Sequence, residues 1–262
     1  MRTGWTLMAA AILALTMAPA AHAGIETKEV TYKQGETVLT GFFAWDGAAE
    51  GKRPGVIVVH EWWGHNDHAR NQARRLAEAG YVAFALDMYG KGKVTTHPEE
   101  AGAFARDAME DREVMAARFD AALDQLTADP RVDPDRIAAI GYCFGGSVVL
   151  DMVRAGVDLD AAATFHAGLG SAMTAEKGKV KARVLVNTGG ADPMVPAEQV
   201  EAFRREMEAA GAQATVISYP GARHGFTNPD AASFGMEALA YDADADGKSW
   251  AAMLAMFSEV LG

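Results

Sequence analysis

The chain has 262 residues, half of them hydrophobic, and a formal net charge of −11 at pH 7. Such an acidic chain is a poor candidate for binding nucleic acid or an anionic membrane, and we expect neither as a partner. With a single cysteine, the sequence excludes an internal disulfide bond.

Residues 1–23 have the pattern of a secretory signal peptide. Arg2 supplies a positive charge, residues 7–17 are almost wholly apolar, and Ala21-His22-Ala23 is a small-x-small cleavage site. The apolar segment is short for a bilayer span, which favours cleavage over an uncleaved anchor. We expect cleavage after Ala23, a periplasmic or secreted protein, and no stable membrane anchor. Residues 24–262 then form one predicted domain, and a monomer is favoured.

Strand and helix patterns alternate along the rest of the chain. Residues 29–32 and 38–45 alternate with period two, which predicts a hairpin with its turn at Gln34-Gly35. Apolar runs predict further strands at 55–60, 81–86, 137–140, 161–165, 183–187 and 214–219. Helices are predicted at 67–78, 98–127 with a break near Asp111, 148–153, 197–210 and 247–261. This order predicts an α/β fold with a mostly parallel central sheet, an N-terminal antiparallel hairpin and helices on both faces.

The cysteine, Cys143, lies between a predicted strand and a predicted helix, with Gly141 and Gly145 two residues to either side. This is the G-x-nucleophile-x-G elbow, with Cys where Ser is usual. The turn is so sharp that side chains at the two glycines would clash. The central residue is strained and lies ahead of a helix N-terminus, which favours the thiolate. The alternative is a buried structural cysteine, unless an acid and a base follow downstream.

Asp192 and His224 complete the chain order nucleophile, acid, base. Each lies in a loop after a predicted parallel strand, at the carboxyl edge where open α/β sheets place their sites. We expect His224 to accept the thiol proton and later to protonate the leaving group, while Asp192 fixes the imidazole tautomer. Alone, each residue has a simpler interpretation, as a helix cap or a half-buried loop histidine.

A further motif, His60-Glu61-Trp62-Trp63-Gly64-His65, follows the first buried strand. The backbone N–H groups of Trp62 and Phe144 are expected to form the oxyanion hole. Glu61 could accept the thiol proton or compete with His224 for it. Trp63, with its neighbour, either lines an apolar pocket or packs inside the protein.

Two patterns suggest metal sites, and neither is complete. The His-Glu motif has one residue too many for the zinc pattern His-Glu-x-x-His. The run Asp242, Asp244, Asp246 opens like a calcium loop, but Met253 occupies the position of the bidentate Glu. We therefore expect no metal, and a solvated loop in which Asp246 caps the last helix.

Six stretches resemble the dienelactone hydrolase family of the α/β-hydrolase fold; they are residues 59–64, 75–81, 87–90, 141–146, 189–193 and 219–226. Among these, the pairing of Glu61 with a cysteine elbow is specific to the family. The resemblance implies a Cys143–His224–Asp192 triad that hydrolyses a small-molecule ester or lactone through an acyl-thioester. It also implies that Glu61 hydrogen-bonds the thiol at rest until substrate releases it, and that no metal or organic cofactor is needed.

One departure from the family concerns the substrate. Dienelactone hydrolases hold the substrate carboxylate with arginines, one of them just after the catalytic histidine, where this chain has Asn228. An ester or lactone other than dienelactone is therefore expected, in a pocket for which Trp63, Tyr89, His166 and Asn228 are candidate lining residues. For His166 a packing role is an equal alternative. Two other functions stay open, a thioesterase or peptidase on the same triad and a non-catalytic ligand-binding member of the fold.

Overall fold

The computed structural model describes residues 24–262, and its core is one sheet of eight strands in the order β1-β2-β4-β3-β5-β6-β7-β8. The predicted signal peptide lies outside the described residues. The strands are β1 (Ile25–Gln34), β2 (Thr37–Asp46), β3 (Arg53–Val59), β4 (Val82–Leu86), β5 (Val132–Tyr142), β6 (Ala161–Phe165), β7 (Arg183–Gly189) and β8 (Ala214–Tyr219). β1 pairs antiparallel with β2 and β2 with β4, and all other neighbouring strands are parallel. The predicted fold class, with its N-terminal hairpin, is confirmed.

Six α-helices cover the two faces of this sheet. They are α1 (Asp67–Glu78), α2 (Pro98–Glu110), α3 (Arg112–Thr127), α4 (Phe144–Ala155), α5 (Ala197–Ala210) and α6 (Ala243–Leu261). Because successive strand side chains point to opposite faces, β3 contributes Ile57 and Val59 to the core under α3, α4 and α5. Val56 and Val58 pack on the other face, under α1 and α6. Across residues 24–262, none of the helices has the length and apolar character needed to cross a membrane.

Two local predictions are wrong. The hairpin loop is Gly35–Glu36, because the pairing of the strands extends to Gln34 and Thr37. The last helix begins four residues earlier than predicted, and its cap is Asp242, whose carboxylate accepts from the N–H groups of residues 244 and 245 at 3.1 and 3.0 Å. Asp246 instead lies in the first turn and forms an ion pair with Arg75 at 3.1 Å. Among the described residues, no group of three or more His, Cys, Asp or Glu side chains is arranged to hold a metal ion.

Candidate active site

The candidate site residues lie just beyond the carboxyl ends of neighbouring strands. Glu61 follows β3, Cys143 follows β5 and His166 follows β6, while Asp192 and His224 follow β7 and β8. These five strands are adjacent in the sheet in that order, so loops far apart in sequence meet at one edge. The parallel sheet therefore places the candidate nucleophile, acid and base side by side.

The turn at Cys143 has the strained geometry expected of an elbow. Its backbone has φ 52° and ψ −119°, and its N–H donates to the carbonyl of Phe165 at 3.0 Å. A Cβ atom at Gly141 would lie 2.2 Å from the carbonyl oxygen of Gly145, and one at Gly145 would lie 2.4 Å from that of Val59. Only glycine fits at both positions, and the turn presents a half-buried cysteine at the start of α4.

Asp192 and His224 form a buried hydrogen-bonded pair. Nδ1 of His224 donates to Oδ2 of Asp192 at 2.8 Å, and the N–H of Met194 donates to the other carboxylate oxygen, Oδ1, also at 2.8 Å. The backbone of His224 is held in turn, since its carbonyl accepts from the N–H of Ala240 at 3.1 Å. With both of its oxygens bonded, the carboxylate fixes one ring orientation and keeps the imidazole proton on Nδ1.

The pKa of His224 is raised by its neighbours Cys143 and Asp192. Burial lowers the pKa of His224, but the negative charge of the Cys143 thiolate, the hydrogen bond to Asp192 and the side-chain contact with Cys143 outweigh burial and raise this pKa to about 10. Nε2 of His224 makes no well-aligned hydrogen bond within residues 24–262, so it stays open towards the thiol. The raised pKa favours the protonated imidazolium form of His224 at neutral pH.

The two expected oxyanion donors are Trp62 and Phe144. Phe144 is the first residue of α4, where an N–H has no intrahelical acceptor. The N–H of Trp62 has no backbone acceptor in the described part of the chain, while its carbonyl accepts from the Tyr89 hydroxyl at 3.1 Å. Both N–H groups are thus available to a ligand, and their role in an oxyanion hole stays a prediction.

A residue to which the sequence assigned no role, His60, fixes the turn that carries Glu61. Its Nδ1 donates to the carbonyl of Glu61 at 2.6 Å, and its Nε2 accepts from the N–H of Met88 at 3.1 Å. The ring is fully buried, and burial lowers its pKa, which suits the neutral tautomer that these two bonds require. In the sequence this histidine suggested only an incomplete zinc motif, because its two backbone partners become apparent only in the fold.

Glu61 has a different partner from the one that the family resemblance implies. Both Glu61 and Asn228 are buried, and Nδ2 of Asn228 donates to Oε2 of Glu61 at 2.7 Å. No hydrogen bond joins Glu61 to Cys143 among the residues that the structure describes. Asn228, in the loop after His224, thus holds the Glu61 carboxylate that was expected to bond Cys143.

The other candidate pocket residues, Trp63, Tyr89 and His166, are buried. Trp63 stacks on Phe234 with ring centroids 3.9 Å apart, which is a packing role. His166 is fully buried with φ 42°, its Nε2 lies 2.8 Å from Oγ1 of Thr227, and its ring centroid is 5.1 Å from that of His224. Tyr89 contacts the site through Trp62. Tyr89 and His166 thus hydrogen-bond to the loops that carry the candidate site, and their place in a substrate pocket stays a prediction.

The chain is similar in sequence and in fold to proteins of one known family. The chain matches the model of the dienelactone hydrolase family over residues 39–261. Protein usf of Aquifex pyrophilus is 28% identical over 240 residues, which cover 88% of this chain and 98% of that protein. A solved dienelactone hydrolase-like promiscuous phosphotriesterase from metagenomic libraries is 41% identical, with a TM-score of 0.88, over 92% of this chain and 100% of that one.

The fold is also that of more distant structures. Dienelactone hydrolase from Anabaena variabilis is 20% identical and superposes with a TM-score of 0.65 over 91% of this chain and 100% of that one. The family match spans the sheet from β2 to the end of α6 and includes the elbow and both loops of the candidate triad. The chain therefore belongs to the dienelactone hydrolase family of ester and lactone hydrolases.

Proposed function

We propose that the protein hydrolyses small-molecule carboxylic esters or lactones with Cys143 as the nucleophile. The observation that carries the proposal is the strained Cys143 turn beside a buried, hydrogen-bonded Asp192–His224 pair. Cys143 and Asp192 together outweigh burial and raise the pKa of His224 to about 10, which supports it. A cysteine is a nucleophile as the thiolate, and this arrangement supplies the imidazolium that stabilises it.

The first half-reaction forms an acyl-thioester. The thiolate of Cys143 attacks the carbonyl carbon, and the N–H groups of Trp62 and Phe144 bind the resulting oxyanion. Each such donor contributes about 3 kcal/mol at the transition state. His224 then gives its Nε2 proton to the departing alkoxide, which leaves as the alcohol, while Asp192 holds the imidazole in place through Nδ1.

The second half-reaction returns the enzyme to its starting state. His224, now neutral, takes a proton from water as the water oxygen attacks the thioester carbonyl. The tetrahedral intermediate collapses, Cys143 leaves as a thiolate beside the imidazolium, and the carboxylic acid departs. With a lactone, the alcohol and the acid are two ends of one product molecule.

The test compares Cys143→Ala and His224→Ala with wild type on a chromogenic short-chain acyl ester. We expect kcat/KM to fall by roughly 10³-fold or more in each, because nucleophile and base act as a unit. Wild-type turnover in both variants would contradict the proposal. Assays with matched acyl-thioester and amide substrates distinguish an esterase from a thioesterase or a peptidase, which would turn over those substrates faster than the ester. A folded protein whose Cys143 resists iodoacetamide would indicate a non-catalytic binding protein.

A second activity, hydrolysis of uncharged phosphotriesters, is also proposed for this site. The 41% identical structure is that of a phosphotriesterase, and the N–H pair of Trp62 and Phe144 could bind a phosphoryl oxygen as well as a carbonyl oxygen. A nitrophenyl phosphotriester assayed with wild type and Cys143→Ala tests this. Release of nitrophenol by the wild type alone supports the activity, and equal release by both contradicts it.

We further propose that the protein is exported and processed after Ala23. The n-region, apolar segment and cleavage site within residues 1–23 support this proposal. Expression of the full chain in a bacterium, followed by cell fractionation and intact mass measurement, tests it. A mature protein that begins at Gly24 outside the cytoplasm is expected, and an unprocessed cytoplasmic chain would contradict export.

A further inference from the structure

We propose that Asn228 is a positioning residue that holds Glu61 away from the Cys143 thiol, so that substrate needs no negative charge to free the nucleophile. The inference rests on the proposed cysteine chemistry and concerns its resting state. The amide of Asn228 donates a hydrogen bond to the Glu61 carboxylate within the chain itself, so this bond does not depend on a substrate. The Glu61–Asn228 hydrogen bond is called the internal latch below.

The orientation of the Asn228 amide is fixed by its second hydrogen bond. Its Oδ1 accepts from the backbone N–H of Asp230 at 3.0 Å. Because a backbone N–H can only donate, the oxygen of the amide must face Asp230 and the NH₂ group must face Glu61. The 2.7 Å contact is therefore a donor facing a carboxylate, in the short range of charge-assisted hydrogen bonds.

The loop that carries the latch also carries the candidate base, and it is pinned at several points. The N–H of Asn228 donates to the carbonyl of Gly225 at 2.9 Å, and its own carbonyl accepts from Ala231 at 3.0 Å. Between the latch and His224, the hydroxyl of Thr227 lies 2.8 Å from Nε2 of the buried His166. Asn228 and His224 thus lie in one loop that these hydrogen bonds hold together.

Glu61 needs this donor because it is buried. A carboxylate removed from water requires hydrogen bonds, and the side-chain donor that bonds Glu61 is the Asn228 amide. Cys143 follows β5, the strand next to the β3 strand that Glu61 follows, so we expect a protonated thiol to be the donor that replaces a lost amide. While the amide satisfies Glu61, the thiol proton is not captured by that carboxylate and His224 can hold it. Loss of the amide turns Glu61 towards the thiol, which favours the protonated and unreactive form of Cys143.

The other titratable groups near the site do not replace Glu61 as a group that competes for the thiol proton. Burial lowers the pKa of His60, His68 and His166, and burial raises the pKa of Tyr89, so all four are uncharged at neutral pH. Asp192 is already bonded to His224 and to a backbone N–H. The proposal therefore concerns Glu61 and His224, the two residues whose loops flank Cys143 and which these groups leave without a substitute.

The latch also defines a class of substrate. A substrate carboxylate placed here would face the charge of Glu61 and would find the Asn228 amide already engaged. Like charges at such short range disfavour binding, particularly away from water. The expected substrates are esters or lactones that are uncharged in the part lying against Glu61 and Asn228.

The test measures the rate of Cys143 alkylation by iodoacetamide from pH 5 to pH 9. In Asn228→Ala and in Asn228→Ser we expect the pH midpoint to rise by about one unit or more, so that alkylation at pH 6 slows about tenfold. Serine is the second variant because its hydroxyl can still accept from the N–H of Asp230 but is too short to reach Glu61. Thermal unfolding of each variant verifies that the protein is folded.

A double variant separates the latch from a general loosening of the loop. In Glu61→Gln/Asn228→Ala we expect the midpoint to return to that of Glu61→Gln alone, because no carboxylate remains to capture the thiol proton. Unchanged profiles in the folded Asn228 variants, or a double variant that stays shifted, would overturn the inference. Failure of the cysteine mechanism is seen separately, as full turnover by Cys143→Ala.

Discussion

The carboxylate of Asp192 gives the sharpest test of how the candidate triad is built. In Asp192→Asn the new amide has one orientation available, because its Oδ1 must accept the N–H of Met194 that bonds the carboxylate at 2.8 Å. Its NH₂ group then faces Nδ1 of His224. A donor facing Nδ1 forces the imidazole proton onto Nε2, the atom that has to accept the proton of Cys143.

The expected effect on catalysis is therefore much larger than the loss of one hydrogen bond. Losing a hydrogen bond to a charged group costs about 1.5–3 kcal/mol of stability. A histidine locked in the wrong tautomer lowers kcat roughly 10³- to 10⁴-fold, as in other triads. The pKa of His224 should also fall from about 10, since the carboxylate and its hydrogen bond help to raise it.

The assay follows hydrolysis of a chromogenic short-chain ester with Asp192→Asn and Asp192→Ala, while ¹⁵N chemical shifts of His224 report its tautomer. Asp192→Ala is the matched control, since it removes the acceptor without supplying a donor to Nδ1. We expect the Asn variant to be at least as inactive as the Ala variant although it keeps the shape of the side chain. A folded Asn variant within about tenfold of wild type would refute the tautomer argument.

Three further predictions follow from other contacts. Cys143→Ala removes the negative charge that raises the pKa of His224, so NMR titration should show this pKa falling below about 10, and an unchanged value would contradict the ion pair. Tyr89→Phe removes the hydroxyl that donates to the carbonyl of Trp62, so we expect kcat to fall by about tenfold with KM little changed. A change in KM alone would instead assign Tyr89 to substrate binding. Gly145→Ala places a Cβ 2.4 Å from a carbonyl oxygen at the end of β3, so chemical denaturation should show a loss of about 1–3 kcal/mol or more, and wild-type stability would contradict the crowding.

Local sequence patterns predicted most of the fold because the forces that set the elements are local. α1, α5 and β8 have the bounds expected from their apolar periodicity and flanking glycines. The break near Asp111 is also confirmed, since Asp111 caps α3 by accepting from the N–H of Val114 at 3.0 Å. The proximity of Cys143, Asp192 and His224 follows from the parallel sheet, which needs only the order of the elements.

The error at the last helix occurred where two carboxylates compete for the same N–H donors. Asp242 and Asp246 both lie near the start of the last helical pattern. The sequence predicted Asp246 as the cap, whereas the cap in the structure is Asp242. The choice is decided by Arg75, which lies 171 residues away and pairs with Asp246. Once that carboxylate is engaged with α1, Asp242 is left to bond the first N–H groups of α6.

Glu61 shows the same limit at the site itself, with a functional consequence. Sequence placed Glu61 near Cys143 and noted Asn228 as a missing arginine, but it could not join two residues 167 positions apart. The contact depends on three facts of the fold: the turn fixed by His60, the loop shared with His224, and the amide orientation fixed by Asp230. An arginine at this position would offer a positive charge to a substrate carboxylate, whereas the amide of Asn228 is neutral and already donates to Glu61. In the proposed latch, Asn228 therefore has two effects: it keeps Glu61 from the thiol, and it leaves no positive charge at this position for an anionic substrate.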